Sequence, residues 1–210
     1  MSELHDAILN GNAKAAVAIT RRKLDEGSSA LDLVSSEMIP AMDEIGGRFA
    51  REECFVPELL LAARAMKGAL ELLQPLLAKS GAQPAGRVAI GTVKGDLHDI
   101  GKNLVAAMLE GAGFEVIDLG IDVAADSFVE AVRTRKVDVI CLSALLTVAM
   151  PAMRDTIAAL RDAGVRGRVK VLVGGAPITP AFAQQIGADG YGENATSAVT
   201  LARQMTATAS

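Results

Sequence analysis

Thr92-Val93-Lys94-Gly95-Asp96-Leu97-His98-Asp99-Ile100-Gly101-Lys102-Asn103 lies between two apolar runs. Val88-Ala89-Ile90 before it reads as a short buried strand, and Leu104-Val105-Ala106-Ala107-Met108-Leu109 after it reads as a buried helix. A turn at the carboxyl end of a parallel strand is where open α/β sheets place their ligands. The turn holds His98; the other histidine, His5, sits at the extreme N-terminus. Asp96, two residues earlier, is spaced to bond one ring nitrogen of His98, which fixes the tautomer and frees the other nitrogen for a metal. The plain alternative is a strand-to-helix turn with a solvated histidine and a few capping residues, and D-x-H-x-x-G alone does not separate the two.

Strand and helix patterns alternate on the C-terminal side of this turn. Arg87–Val93 is a strand and Ile100–Glu110 a helix; Phe114–Leu119 is a strand and Ala125–Arg135 a helix; Asp138–Ala144 is a strand and Val148–Ala163 a helix. Lys170–Val173 is a strand closed by Gly174-Gly175-Ala176-Pro177, followed by a helix at Pro180–Ile186, a short strand at Asp189–Tyr191 and a last helix at Asn194–Gln204. Repeated β-α units predict a five-stranded parallel sheet with helices on both faces. The expected order is the flavodoxin-like (Rossmann-like) 2-1-3-4-5, with its switch point between strands 1 and 3. That order brings His98, Ser143 with Leu145, and Gly174 with Gly175 to one crevice. A glycine pair ending a strand lets the backbone approach a ligand closely, or simply makes a turn.

On the N-terminal side the periodic segments are helical. Leu31, Val34, Met38, Met42, Ile45 and Phe49 form one apolar stripe, and Leu59, Ala63, Met66, Leu70, Leu73 and Leu77 another. Asn12 and Ser28 or Ser29 suit N-caps, and Pro57 suits a first helical turn. Pro40 is expected to kink or divide the third helix. Four or five helices in a small bundle follow. Ser80–Gly86 is turn-rich and reads as a linker, which makes 1–83 a helical cap domain and 84–210 the ligand-binding domain.

The composition narrows the function. Half of the 210 residues are apolar, only 3% are aromatic, and the net charge is −4. Nucleic-acid binding wants stacking platforms and a basic groove, and this chain offers neither. Cys54 and Cys141 form no C-x-x-C pair, and Cys141 within Val139-Ile140-Cys141-Leu142 reads as a small core residue. Free thiols, no signal-peptide layout and no apolar run near 18 residues predict a cytoplasmic protein that does not engage a membrane.

Taken together the motifs resemble the cobalamin-binding domains of methionine synthase, corrinoid methyl carriers and B12-dependent mutases. That family carries D-x-H-x-x-G, S-x-L and G-G at set separations. Here 41 residues separate Gly101 from Ser143, and 28 separate Leu145 from Gly174. Phe55-Val56-Pro57 followed by Leu59-Leu60 matches the F-x-P segment of the methionine synthase cap, and Gly187–Tyr191 with Asn194-Ala195 resembles the family's last strand and helix start.

The resemblance implies cobalamin or a related corrinoid as cofactor, in methylcobalamin and Co(I) forms. It implies His98 as the lower cobalt ligand in place of the cofactor's own base, and a catalytic part for Asp96 through the far nitrogen of His98. Gly95, Leu97, Asp99 and Gly101 would border that loop. Ser143, Leu145 and Thr147 would line a slot for the displaced nucleotide tail, with Gly174 and Gly175 in its wall and Tyr191 and Ala195 from the last strand and helix. Phe55 would shield the upper corrin face; otherwise it is a core aromatic at a helix start. Ala149 stands where methionine synthase has a serine that extends the His–Asp relay, so the relay is expected to end at Asp96 or at water.

The chain shows no zinc-binding cluster, no P-loop and no room for a folate-binding barrel. The resemblance therefore implies a free-standing methyl carrier, the corrinoid subunit of a multi-component methyltransferase system that is not catalytic alone. Its partners would be a substrate-specific methyltransferase, a tetrahydrofolate- or thiol-dependent methyltransferase and a reductive activase. The alternative is an adenosylcobalamin-binding sensor, although such proteins usually carry a DNA-binding domain and often a cap tryptophan, and this chain has neither.

Overall fold

The computed structural model describes residues 2–80 and 83–207. Contacts divide the chain into two compact units, Met1–Pro84 with Ala107–Gly113, and Ala85–Ala106 with Phe114–Ser210. Of the expected linker, Gly81 and Ala82 lie outside the described residues, and 83–86 form neither helix nor strand.

The first unit is helical: α1 (Glu3–Leu9), α2 (Ala13–Asp25), α3 (Ala30–Leu33), α4 (Ile39–Ala50) and α5 (Val56–Ser80). Asn12 caps α2 by accepting from the Ala15 amide at 3.1 Å, and Ser29 caps α3 through the Asp32 amide. Ser2 caps α1 in the same way. Pro57 sits in the first turn of α5, where its missing N–H leaves no bond unmade. Pro40 divides its helix: a π-helical turn, Val34–Met38, precedes α4, and the Ile39 amide reaches back to Val34. The wider turn takes up the distortion next to a residue that cannot donate. Leu4, Ile8, Met38, Met42, Leu59, Met66 and Leu73 are fully buried at the centre of the unit. Leu31, at the start of the first apolar stripe, is exposed.

The second unit is a parallel sheet of β1 (Arg87–Thr92), β2 (Glu115–Asp118), β3 (Val139–Ser143), β4 (Lys170–Gly174) and β5 (Gly190–Gly192) in the order β2-β1-β3-β4-β5. This is the expected doubly wound order. Between the strands run α6 (Ile100–Gly111), whose residues from Ala107 on belong to the first unit, α7 (Ala125–Arg135), α8 (Met150–Asp162) and α9 (Pro180–Ile186), and α10 (Ala195–Ala207) closes the second unit. The helix expected at Val148 opens instead with a 3-10 turn, Thr147–Ala149. β1, β3 and β4 are near-continuous apolar runs, as central strands covered on both faces must be. Phe128 of α7, Met153 and Ile157 of α8 and Ile186 of α9 pack with Ala89, Ile140, Leu142, Val171 and Val173 on one face. On the other, α10 packs on Gly190, where a side chain would collide with Leu172 of β4 and Met205 of α10. No helix of the described residues is long and apolar enough to cross a membrane.

Candidate functional site

The register aligns Thr92 with Ser143 and Ser143 with Gly174, so three strands end side by side. The loops that leave them are tied together. The Val93 amide donates to the Ser143 carbonyl at 3.0 Å, and the Ala144 amide to the Gly174 carbonyl at 3.2 Å. Buried Thr92 donates its hydroxyl to the His98 carbonyl at 2.8 Å, which pulls the histidine loop back over the strand that precedes it. The Asp96, Ser143–Leu145 and Gly174–Gly175 segments thus converge on the switch point, as the topology requires.

Asp96 is completely buried and organises the crevice. Its Oδ1 accepts from the His98 amide at 3.0 Å and lies 2.8 Å from His98 Nδ1. Its Oδ2 accepts from the Leu145 amide at 2.6 Å and the Leu146 amide at 3.0 Å. A carboxylate has about four lone-pair sites, and four donors occupy them here. Burial pushes the carboxyl up, but the amides of His98, Leu146 and Leu145 and the His98 ring outweigh it and bring Asp96 down to about 2. Asp96 is therefore ionised at neutral pH and can only accept, so Nδ1 of a neutral His98 carries the ring hydrogen. The lone pair of Nε2 is left free. Ala149 is buried and adds no donor or acceptor side chain, and Asp96 Oδ2 is filled by two backbone amides.

The His98 side chain is 51% exposed. Leu97, Ile100, Ile121, Leu145, Leu146 and Val148 are all exposed around this end of the sheet. A Cβ built on Gly95 or Gly101 would meet open space. Asp99 is exposed and accepts from the Asn103 side chain in the first turn of α6. Thr147 is exposed and Ser143 half-buried.

The glycine pair has a different basis. At Gly175, with φ +127°, a Cβ would lie 1.8 Å from the Ala144 carbonyl oxygen, and at Gly174 one would lie 2.9 Å from the Gly192 carbonyl oxygen. The close approach these glycines permit is to the chain's own backbone. Tyr191 is half-buried against the core and pairs with Val173, and Ala195 is buried at the start of α10. Phe55, in the helical unit, is 73% exposed with its amide capped by the Glu58 carboxylate at 2.7 Å. It is not a core aromatic.

Sequence reasoning missed several residues that shape this end of the sheet. Leu146, Ile121 and Val148 look like core positions in a linear reading. Lys102 is buried, its Nζ 2.5 Å from Asp118 and 2.7 Å from the Asn103 carbonyl oxygen of the side chain. Asp122 ties the β2–α7 loop to the histidine loop, and no periodicity or motif pointed to it.

Chemically, the crevice offers one oriented imidazole nitrogen among loops that expose several aliphatic side chains. Among the described residues no group of three His, Cys, Asp or Glu side chains could hold a metal ion. A single oriented imidazole suits a metal that brings its other ligands with it, as in a corrin.

The comparisons agree. The B12 binding domain family matches residues 86–200, and a second B12 binding domain family matches residues 2–74. A corrinoid protein of Desulfitobacterium hafniense is 38% identical over 98% of this chain and 96% of its own length. Trimethylamine corrinoid protein 2 of Methanosarcina acetivorans is 41% identical over 95% of this chain and 93% of its own length. Among solved structures, the methanol:cobalamin methyltransferase complex MtaBC of Methanosarcina barkeri superposes with a TM-score of 0.86 at 29% identity, over 98% of this chain and 78% of that one. Two family matches that together span most of the chain, and relatives alike over nearly all of it, make this chain a member of the B12-binding corrinoid protein family, with cobalamin or a related corrinoid as its cofactor.

Proposed function

We propose that this chain is a methyl carrier, which receives a methyl group from a methylated substrate through one methyltransferase and yields it to tetrahydrofolate or a thiol through a second. The observation that carries the proposal is the His98–Asp96 pair, with Nδ1 held by the carboxylate and the side chain half exposed. It is supported by relatives whose names attach them to trimethylamine and methanol methyl transfer.

Bound cobalamin supplies a cobalt centre that can accept a methyl group and give it up. His98 Nε2 would ligate the cobalt, and Asp96 holds the ring in the tautomer that keeps Nε2 unprotonated. Because Asp96 stays ionised, it would hold the His98 ring by Nδ1 and leave Nε2 to face the metal. Gly95, Leu97, Asp99 and Gly101 would border the cofactor, with open space beside Gly95 and Gly101. Ser143, Leu145 and Thr147 line the slot for the nucleotide tail, and the β4 end, seated by Gly174 and Gly175, forms its wall. Tyr191 and Ala195 hold the β5–α10 corner beside it. We assign residues 1–83 the part of a cap, with exposed Phe55 excluding water and oxygen from the reactive face. A reductive activase would restore carrier that has been oxidised.

The test is electron paramagnetic resonance of protein loaded with cob(II)alamin. One axial nitrogen should split the signal, and ¹⁵N-labelling of the protein's histidines should change that splitting. An unchanged pattern would remove His98 from the cobalt. The carrier role is tested by mixing loaded, reduced protein with a cognate methyltransferase and its substrate: one methyl per chain should be bound, and none without the enzyme. Much tighter binding of the adenosyl form, with a change of assembly on illumination, would favour a sensor instead.

A further inference from the structure

The β2–α7 loop grips the histidine loop from the side opposite β3. The Asp122 amide donates to the Asp96 carbonyl at 3.0 Å, and Asp122 Oδ1 accepts from the Gly95 amide at 2.8 Å. Its Oδ2 pairs with Lys94 Nζ at 2.8 Å. Around these bonds the Thr92 amide donates to the Gly120 carbonyl, the Val123 amide to the Thr92 carbonyl, and Val93 bridges to Val123. Asp122 makes its contacts from the left-handed region at φ +53°, which non-glycine residues enter only against a steric penalty, aspartate less so than most. Such a conformation persists where the surroundings demand it, and it concentrates at functional positions. Gly95 in turn has φ +86°, so the backbone just before Asp96 is a sharp turn whose amide needs a fixed acceptor.

We infer that Asp122 is a positioning residue for His98: by holding Gly95 and the Asp96 backbone it sets where the Asp96 carboxylate sits, and through it which ring nitrogen of His98 is left free. The β3 loop fixes Asp96 Oδ2 through Leu145 and Leu146. Asp122 fixes the main chain from which that carboxylate hangs. With both ends held, the carboxylate has one position, and Oδ1 has one direction in which to meet Nδ1. The inference rests on the reading of His98 as the cobalt ligand, and the test separates the two.

The first arm uses the apo protein. With histidine ring nitrogens labelled with ¹⁵N, at about pH 8.5 and so well above the ordinary imidazole range, nuclear magnetic resonance reports the ratio of the Nδ1–H to the Nε2–H tautomer of His98. Asp122→Ala should lower that ratio about fivefold, the scale expected when one bond of a hydrogen-bonded network is lost. Asp122→Asn keeps an oxygen for the Gly95 amide and tolerates the left-handed backbone, so it should restore the parental ratio while losing the ion pair with Lys94. A merely structural role would lower the melting temperature and leave the ratio alone. A parental ratio in Asp122→Ala, or a ratio in Asp122→Asn as low as alanine's, overturns the inference. The second arm loads the same proteins with cob(II)alamin, where Asp122→Ala should show a smaller histidine-ligated fraction by paramagnetic resonance. If the parent itself shows no histidine splitting while the tautomer ratio still follows Asp122, the ligand reading fails and the positioning role stands.

Discussion

Glu37 in the helical unit and Asp96 in the sheet unit are both carboxylates taken largely out of water, and different kinds of donor answer them. The Glu37 side chain is 16% exposed, held by Lys23 Nζ at 2.6 and 2.7 Å and by the Ser2 hydroxyl. Asp96 is fully buried and held by three backbone amides and one ring. In each case burial pushes the carboxyl up and the donors bring it below its ordinary value, with Lys23 leading at Glu37 and the His98 amide at Asp96. The difference is in what each donor can do if the partner leaves. A lysine can extend its stem and return its ammonium to water. A backbone amide cannot, so the loops after β1 and β3 hold Asp96 in one place. Flexible donors stabilise a fold, whereas fixed donors define a position.

Removing each carboxylate should separate the two units most sharply. Asp96→Ala strands the amides of His98, Leu145 and Leu146, at about 3 kcal/mol or more, whereas Glu37→Ala should cost about 1 kcal/mol. Urea unfolding of the apo protein measures both, and equal losses would abolish the distinction. A second pair of substitutions contrasts filled and open space within the sheet unit. Gly175→Ala places a methyl on the Ala144 carbonyl in a backbone alanine avoids, and should cost about 3 kcal/mol. Gly101→Ala meets nothing and should stabilise α6 by up to about 1 kcal/mol while weakening cobalamin binding. If Gly101→Ala binds cofactor as the parent does, the open space there is not cofactor space.

Acid should sharpen the comparison further. Both carboxyls sit below their unfolded values, so the stability each contributes is complete above the ordinary carboxylate range and is lost as pH falls through the folded value. For Asp96 that contribution is about 2 kcal/mol, nearly complete at pH 5 and lost progressively between about pH 4 and pH 2. The stability gap between parent and Asp96→Asn should therefore persist to lower pH than the gap between parent and Glu37→Gln. Coincident pH profiles would mean the two sites are equally constrained. The smallest effect belongs to Phe55. Exposed as it is, Phe55→Ala should change apo stability by less than about 0.5 kcal/mol, yet quicken the reoxidation of reduced cofactor in air. Equal oxidation rates in mutant and parent would leave the ring without a shielding role.

Much of this molecule was legible before its structure. The alternation that places β1 to β5 is a matter of local periodicity, and the order β2-β1-β3-β4-β5 follows from handed, short connections. The caps at Asn12 and Ser29 are set within three residues of the helices they start. The Asp96–His98 bond spans two positions, so its spacing already allowed it. Pro40 announced a break, though not that a π-helical turn would absorb it.

What remained illegible involved residues far apart along the chain. Leu145 and Leu146 look like two core leucines, and only the β1–β3 register presents their amides to Asp96, 49 and 50 residues away. Asp122 is an unremarked acid in a loop until the β2–β1 pairing lays it against Gly95. The glycine pair at Gly174 reads as a turn or a ligand wall, and the crowding by Ala144 and Gly192 that requires it exists only once β3, β4 and β5 lie together. The elements, their order and the histidine with its acid are set locally, because neighbouring residues select backbone conformation and burial face at short range. Which amides surround Asp96, which loop holds it in place and which apolar side chains are left outside depends on strand register, and register is a property of the whole sheet.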